Sequence, residues 1–112
     1  MNFYDKVHEM ARAFKNTDEY KEYMRLKDEI KKDSNISKLV EEFKTKQNQN
    51  QMSYINGEKL EEEKVNELQN LYSIIIQNEN ARKFLEYEMK LNVMLADTQK
   101  ILADAVKDIV EF

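Results

Sequence analysis

EEFKTKQNQNQMSYINGEKLEEEK runs from Glu41 to Lys64, with QNQNQ, Gln47 to Gln51, at its centre. Read as a polar tether, it divides the chain into two small units. Read as helix, it makes them one scaffold. Upstream, Ile36, Leu39, Val40 and Phe43 recur at steps of three and four, the spacing of one helical face. The same stepping continues through Gln47, then Asn50 or Gln51, to Tyr54. Neither glycine nor proline interrupts it before Asn56-Gly57, where a glycine in the left-handed conformation suits a helix stop. A flexible tether is usually rich in Gly, Ser or Pro. Glu42 and Lys46 also stand at i,i+4 in the favourable order. We therefore read Ser34–Ile55 as one helix with a polar middle, the alternative being a Gln/Asn-rich loop.

The flanks follow the same period. Phe3, Tyr4, Val7, Ala11 and Phe14 form a first stripe. Asn16, with Glu19 three residues on, reads as a capping box for a second helix bearing Tyr20, Tyr23, Met24, Leu26 and Ile30. Asp33 or Ser34 then caps the third. Beyond Gly57, Glu58 and Glu61 to Glu63 supply the negative charge favoured at a helix N-terminus, ahead of Val65, Leu68, Leu71, Tyr72, Ile75 and Ile76. Asn78 reads as the cap of a last segment with no breaker from Ala81 to Phe112. The predicted fold is all-α: an elongated bundle of about five helices with antiparallel helical hairpins and a long C-terminal helix. One domain is expected over 1–112, with helices near 2–15, 18–32, 35–55, 60–77 and 80–111.

Composition agrees and narrows the chemistry. The 112 residues include one glycine and no proline, with 41% hydrophobic and 36% charged residues. That suits a helical chain with one modest core and a densely charged surface. The absence of cysteine excludes disulfides, thiolate zinc sites and iron–sulfur ligation by this chain and fits a reducing cytoplasm. The N-terminus lacks the pattern of a secretory signal, and the longest apolar run, Leu71 to Ile76, is far too short to span a bilayer. Neither membrane insertion nor DNA binding is expected. A net charge of −4, with bases interleaved among acids, opposes phosphate binding, so direct RNA contact is not expected either.

No catalytic grouping emerges. His8 is the only histidine, and its spacing from Asp5 matches one half of a di-iron carboxylate–histidine pattern. Such sites need that motif on two helices plus further glutamates, so His8 reads as an exposed helix residue. One glycine rules out a phosphate-binding glycine loop, and no serine has a base beyond His8 to activate it. The chain is read as a non-enzyme without cofactor or metal.

Interaction is the remaining function. An unbroken helix from Ala81 to Phe112 spans roughly 45–50 Å, against a radius of gyration of about 13–14 Å for a compact domain of this length. Leu102, Val106, Ile109 and Val110 would be poorly covered in a monomer, so a homodimer or higher oligomer is expected. The buried amides of a helical seam can fix register and partner choice; Gln47, Asn50 and Gln51 either meet across an oligomer axis or mark an exposed groove. The candidate oligomer or partner interface is thus Phe43, Gln47, Asn50, Gln51 and Tyr54, with Leu91, Leu95, Leu102, Val106 and Ile109 on the last helix.

Over nearly its whole length the chain resembles a known family. The signals are Asp18-Glu19-Tyr20 opening the second helix, Glu42-Phe43 followed by glutamines, Gly57 followed by acids, and Asn80 before the long terminal helix. Together, in this order, they are similar to the YlbF/YmcA/YheA family of small bacterial helical proteins, most of all its YheA-type branch. The resemblance implies a non-enzymatic adaptor that forms homo- or hetero-oligomers, with family relatives or another regulatory protein as further partners. It also implies a link to competence, sporulation and biofilm formation in Gram-positive bacteria, and through some members to a ribonuclease and mRNA processing. Certain relatives hold iron–sulfur clusters through cysteines, a property this cysteine-free chain cannot share. The alternatives are an RNA-processing-associated factor or a small holdase-like chaperone.

Overall fold

A computed structural model describes residues 2–112. They form five helices: α1 (Phe3–Lys15), α2 (Asp18–Lys31), α3 (Ser34–Ile55), α4 (Glu62–Ile75) and α5 (Glu79–Val110). Among the described residues there is no strand, and the fold is all-α.

The helix ends are set by short polar side chains. Asn2 caps α1, its Oδ1 accepting from the Tyr4 N–H at 2.8 Å. Asp33 caps α3 by accepting from the N–H groups of Asn35 and Ile36, and Asn78 caps α5 by accepting from Ala81 at 2.9 Å. Each satisfies donors that have no partner within the helix. Between α1 and α2 the sequence reading needs correction. Thr17, not Asn16, caps α2: its Oγ1 accepts from the Tyr20 N–H at 3.2 Å and donates to the Phe14 carbonyl at 2.7 Å. Asn16 ends α1 in a helical conformation (φ −91, ψ −1), whereas an N-cap needs extended backbone.

QNQNQ is helical. α3 runs through it without a break and closes at Gly57, whose φ is +78. The Gly57 N–H donates to the Tyr54 carbonyl at 3.1 Å and the Glu58 N–H to the Ser53 carbonyl at 2.9 Å, the paired bonds of a Schellman stop.

The chain divides into two compact units. One contains Arg25–Phe84, the other the described residues up to Met24 together with Leu85–Phe112. The first has a core of Leu26, Ile30, Ile36, Val40, Phe43, Ile75, Ala81 and Phe84, with Leu26 and Ile75 fully buried. Within it α3 and α4 pack as an antiparallel hairpin: Phe43 meets Tyr72, and one turn further along α3, Lys46 meets Glu67. The second unit holds α1, the first half of α2 and most of α5. Among its described residues Leu91 is the one buried apolar side chain.

Candidate interaction surfaces

In the Arg25–Phe84 unit, the α3–α4 hairpin carries an open groove of about 460 Å³ lined by Phe43, Leu68, Gln69, Tyr72 and Ser73. The Phe43 and Tyr72 rings lie 6.1 Å apart, tilted by 38°. The Ser73 hydroxyl donates to the Gln69 carbonyl one turn back, at 2.9 Å, which occupies its donor. Lys46 tethers the hairpin beside it, 3.1 Å from Glu67 on α4 and 3.6 Å from Glu42 on α3. Its hydrogen bond to Glu67 raises the Lys46 pKa against a partial opposing loss of solvation. Lys44 lies over the Phe84 ring at 5.7 Å, within cation–π range.

The five candidates on α3 do not share one environment. Phe43 is buried; Asn50 is half-buried; Gln47, Gln51 and Tyr54 are exposed. The half-buried positions beyond Phe43 are Lys44, Lys46, Asn50 and Ser53, and the last three continue the inward face in steps 43–46–50–53. Of the expected stripe through Gln47, Asn50 or Gln51, and Tyr54, Asn50 lies on this face, whereas Gln47, Gln51 and Tyr54 lie one position round the helix. Both paths use steps of three or four, and only the position of α4 selects between them. Leu68 and Tyr72 were not anticipated as surface-forming residues, because their spacing alone matches ordinary core.

The other unit presents two apolar helix faces. Placed at 3.6 residues per turn, Leu95, Thr98, Leu102, Val106 and Ile109 fall on one side of α5 with the polar Gln99 among them, flanked by Ile101, Ala105 and Val110. Asp97, Lys100, Asp104 and Lys107 fall on the other. The apolar arc covers roughly half the circumference. Leu91 is buried, whereas Leu95, Leu102, Val106 and Ile109 are exposed, Ile109 by 82%. On α1, Phe3, Tyr4, Val7, Met10 and Phe14 share a face opposite Asp5, Glu9 and Arg12. No residue of α1 is buried, and Phe3 and Tyr4 are each 68% exposed. The stripe on α1 is plain in the sequence, but nothing there distinguishes a stripe covered by the same chain from an uncovered one.

His8 is exposed on α1. Among the described residues no group of three or more His, Cys, Asp or Glu side chains is placed to hold a metal, and no helix is long and apolar enough to cross a membrane.

Comparison with known proteins gives these surfaces a setting. Residues 3–107 match the family described as "Control of competence regulator ComK, YlbF/YmcA". A UPF0342 protein of Caldicellulosiruptor bescii is 35% identical over 106 residues, covering 95% of this chain and 89% of that protein. A UPF0342 protein of Caldicellulosiruptor saccharolyticus is 37% identical, covering 94% and 88%. One of Clostridium tetani is 35% identical, covering 95% and 91%.

Proposed function

The chain belongs to the Control of competence regulator ComK, YlbF/YmcA family, and from that premise we propose that it is a non-enzymatic, self-associating helical adaptor, closest to the YheA-type branch. It works in the cytoplasm by presenting helical surfaces to regulatory proteins, in the setting of competence, sporulation and biofilm control. The observation that carries this reading is the pair of uncovered apolar faces on α1 and α5. Soluble monomers rarely leave contiguous apolar surface of this extent open to water, and where they do it marks an interaction site. The test is affinity purification of the tagged chain from its native host, followed by mass spectrometry. The expected result is co-purification of a regulatory protein. Recovery of nothing but further copies of the chain would leave the adaptor without a client and contradict the reading.

A holdase-like activity is the second reading, favoured by the exposed Met10, Met52 and Met89, since flexible thioether side chains adapt to varied apolar surfaces. Suppression of a model client's aggregation at stoichiometric amounts supports it; no effect on aggregation removes it.

A further inference from the structure

We propose that a second copy of this chain covers both uncovered faces, so that α1 and the C-terminal half of α5 from each copy pool four helices around one shared apolar core. This shared core presupposes the self-association proposed above and adds α1 to it.

The two-stranded alternative, α5 against α5 alone, fits poorly. A coiled-coil seam needs only a narrow stripe at the a and d positions. The apolar arc on α5 is about half a turn wide, the width of a helix facing a bundle core. A seam made from α5 alone also leaves α1 without cover. Isolated helices shorter than about 12–15 residues are marginal in water, and α1 has 13 residues with none buried. Its apolar face therefore needs a partner surface if the helix is to persist.

The area suits a second copy. Leu95, Leu102, Val106 and Ile109 on α5, with Phe3, Tyr4, Val7 and Met10 on α1, all remain exposed. Together they offer apolar surface on the order of what a standard stable interface buries, about 800 Å² per partner. The charges point the same way. Asp97, Lys100, Asp104, Lys107 and Asp108 along α5, and Asp5, Lys6, Glu9, Arg12 and Lys15 along α1, place both signs beside each apolar face. A dedicated partner of opposite charge is matched by a rim of one sign. A rim of mixed sign can meet its own copy about a two-fold axis without facing an excess of like charge. No charged side chain interrupts the apolar arc on α5 between Leu95 and Val110, so pairing buries no unpaired ion.

The experiment combines light scattering with amide hydrogen exchange on the full chain, wild type and the Val7→Glu/Met10→Glu double variant. The wild type is expected to be dimeric, with the amides of α1 and of residues 95–110 both protected. In the variant, the mass is expected to fall to that of one chain and residues 95–110 to lose protection, while the α3–α4 amides keep theirs. Free exchange of α1 in a dimeric wild type overturns the shared core but leaves self-association standing. So does a variant that stays dimeric with 95–110 still protected. A wild type of single-chain mass overturns both. If the variant does not fold, protection of α1 in the wild-type dimer decides.

Discussion

Lys46 joins the two arms of the α3–α4 hairpin through Glu67, its Nζ 3.1 Å from the Glu67 Oε2. The contact is long-range in sequence, whereas Lys6–Glu9 and Lys83–Glu79 each lie within one helix. Because the pair is partly exposed, its contribution is modest and screened by salt. Lys46→Met should lower the melting temperature slightly at low ionic strength, and the difference from wild type should shrink in concentrated salt. The pH dependence has two limbs. The Lys46 pKa is raised by its bond to Glu67, so that stabilisation is complete below the ordinary lysine value of 10.5 and fades as pH climbs past it. Glu29 and Glu79 have lowered pKa values, through their bonds to Lys32 and Lys83. Their stabilisation is complete above the ordinary 4.5 and fades as pH falls below it. Thermal unfolding measured across pH should show both limbs.

Leu26 and Ile75 are both fully buried in the Arg25–Phe84 unit. Replacing either with alanine removes buried methyl groups and leaves a cavity, at a cost of about 2–5 kcal/mol. Urea unfolding followed by circular dichroism should show that loss. A change well under 1 kcal/mol at both sites would mean that they do not anchor the core.

Gly57 has φ +78, and a Cβ placed there meets nothing within 4 Å. The cost of Gly57→Ala is therefore backbone strain alone, about 1–2 kcal/mol. Gly57→Asn should cost less, because asparagine visits the left-handed region more readily. Equal stability of the alanine and glycine proteins would show that the Schellman stop does not hold the end of α3.

Asn48 lies in the exposed part of QNQNQ, so Asn48→Pro acts on the backbone alone. In a continuous α3 it removes one helical hydrogen bond and clashes with the preceding turn, costing about 3 kcal/mol. In a tether the same substitution would be nearly silent. Far-ultraviolet circular dichroism and urea unfolding separate the two.

Much of this architecture could be read from residue order. Phe43-to-Tyr54 stepping and Asn56-Gly57 identified α3 and its stop, because periodicity and left-handed glycine are local properties of the chain. Asp33 and Asn78 were recognisable as caps for the same reason. The cap of α2 was misplaced by one residue, since Asn16 and Thr17 are both competent caps and only the backbone of Asn16 disqualifies it. The inward face beyond Phe43 was also misplaced. Gln47 and Lys46 are equally consistent with the period, and the choice depends on where Glu67 and Tyr72 arrive from α4. On α5, the sequence foretold that Leu102, Val106 and Ile109 would lack cover. It gave no sign that α1 shares that condition, because an amphipathic stripe looks the same whether or not the chain itself covers it.

We propose that the exposed apolar faces of α1 and α5 are contact surfaces, met first by the chain's own copy. Static light scattering of the purified 112-residue chain at micromolar concentration tests this. The predicted mass is twice the 13.5 kDa of one chain. A mass of one chain across that concentration range would contradict it.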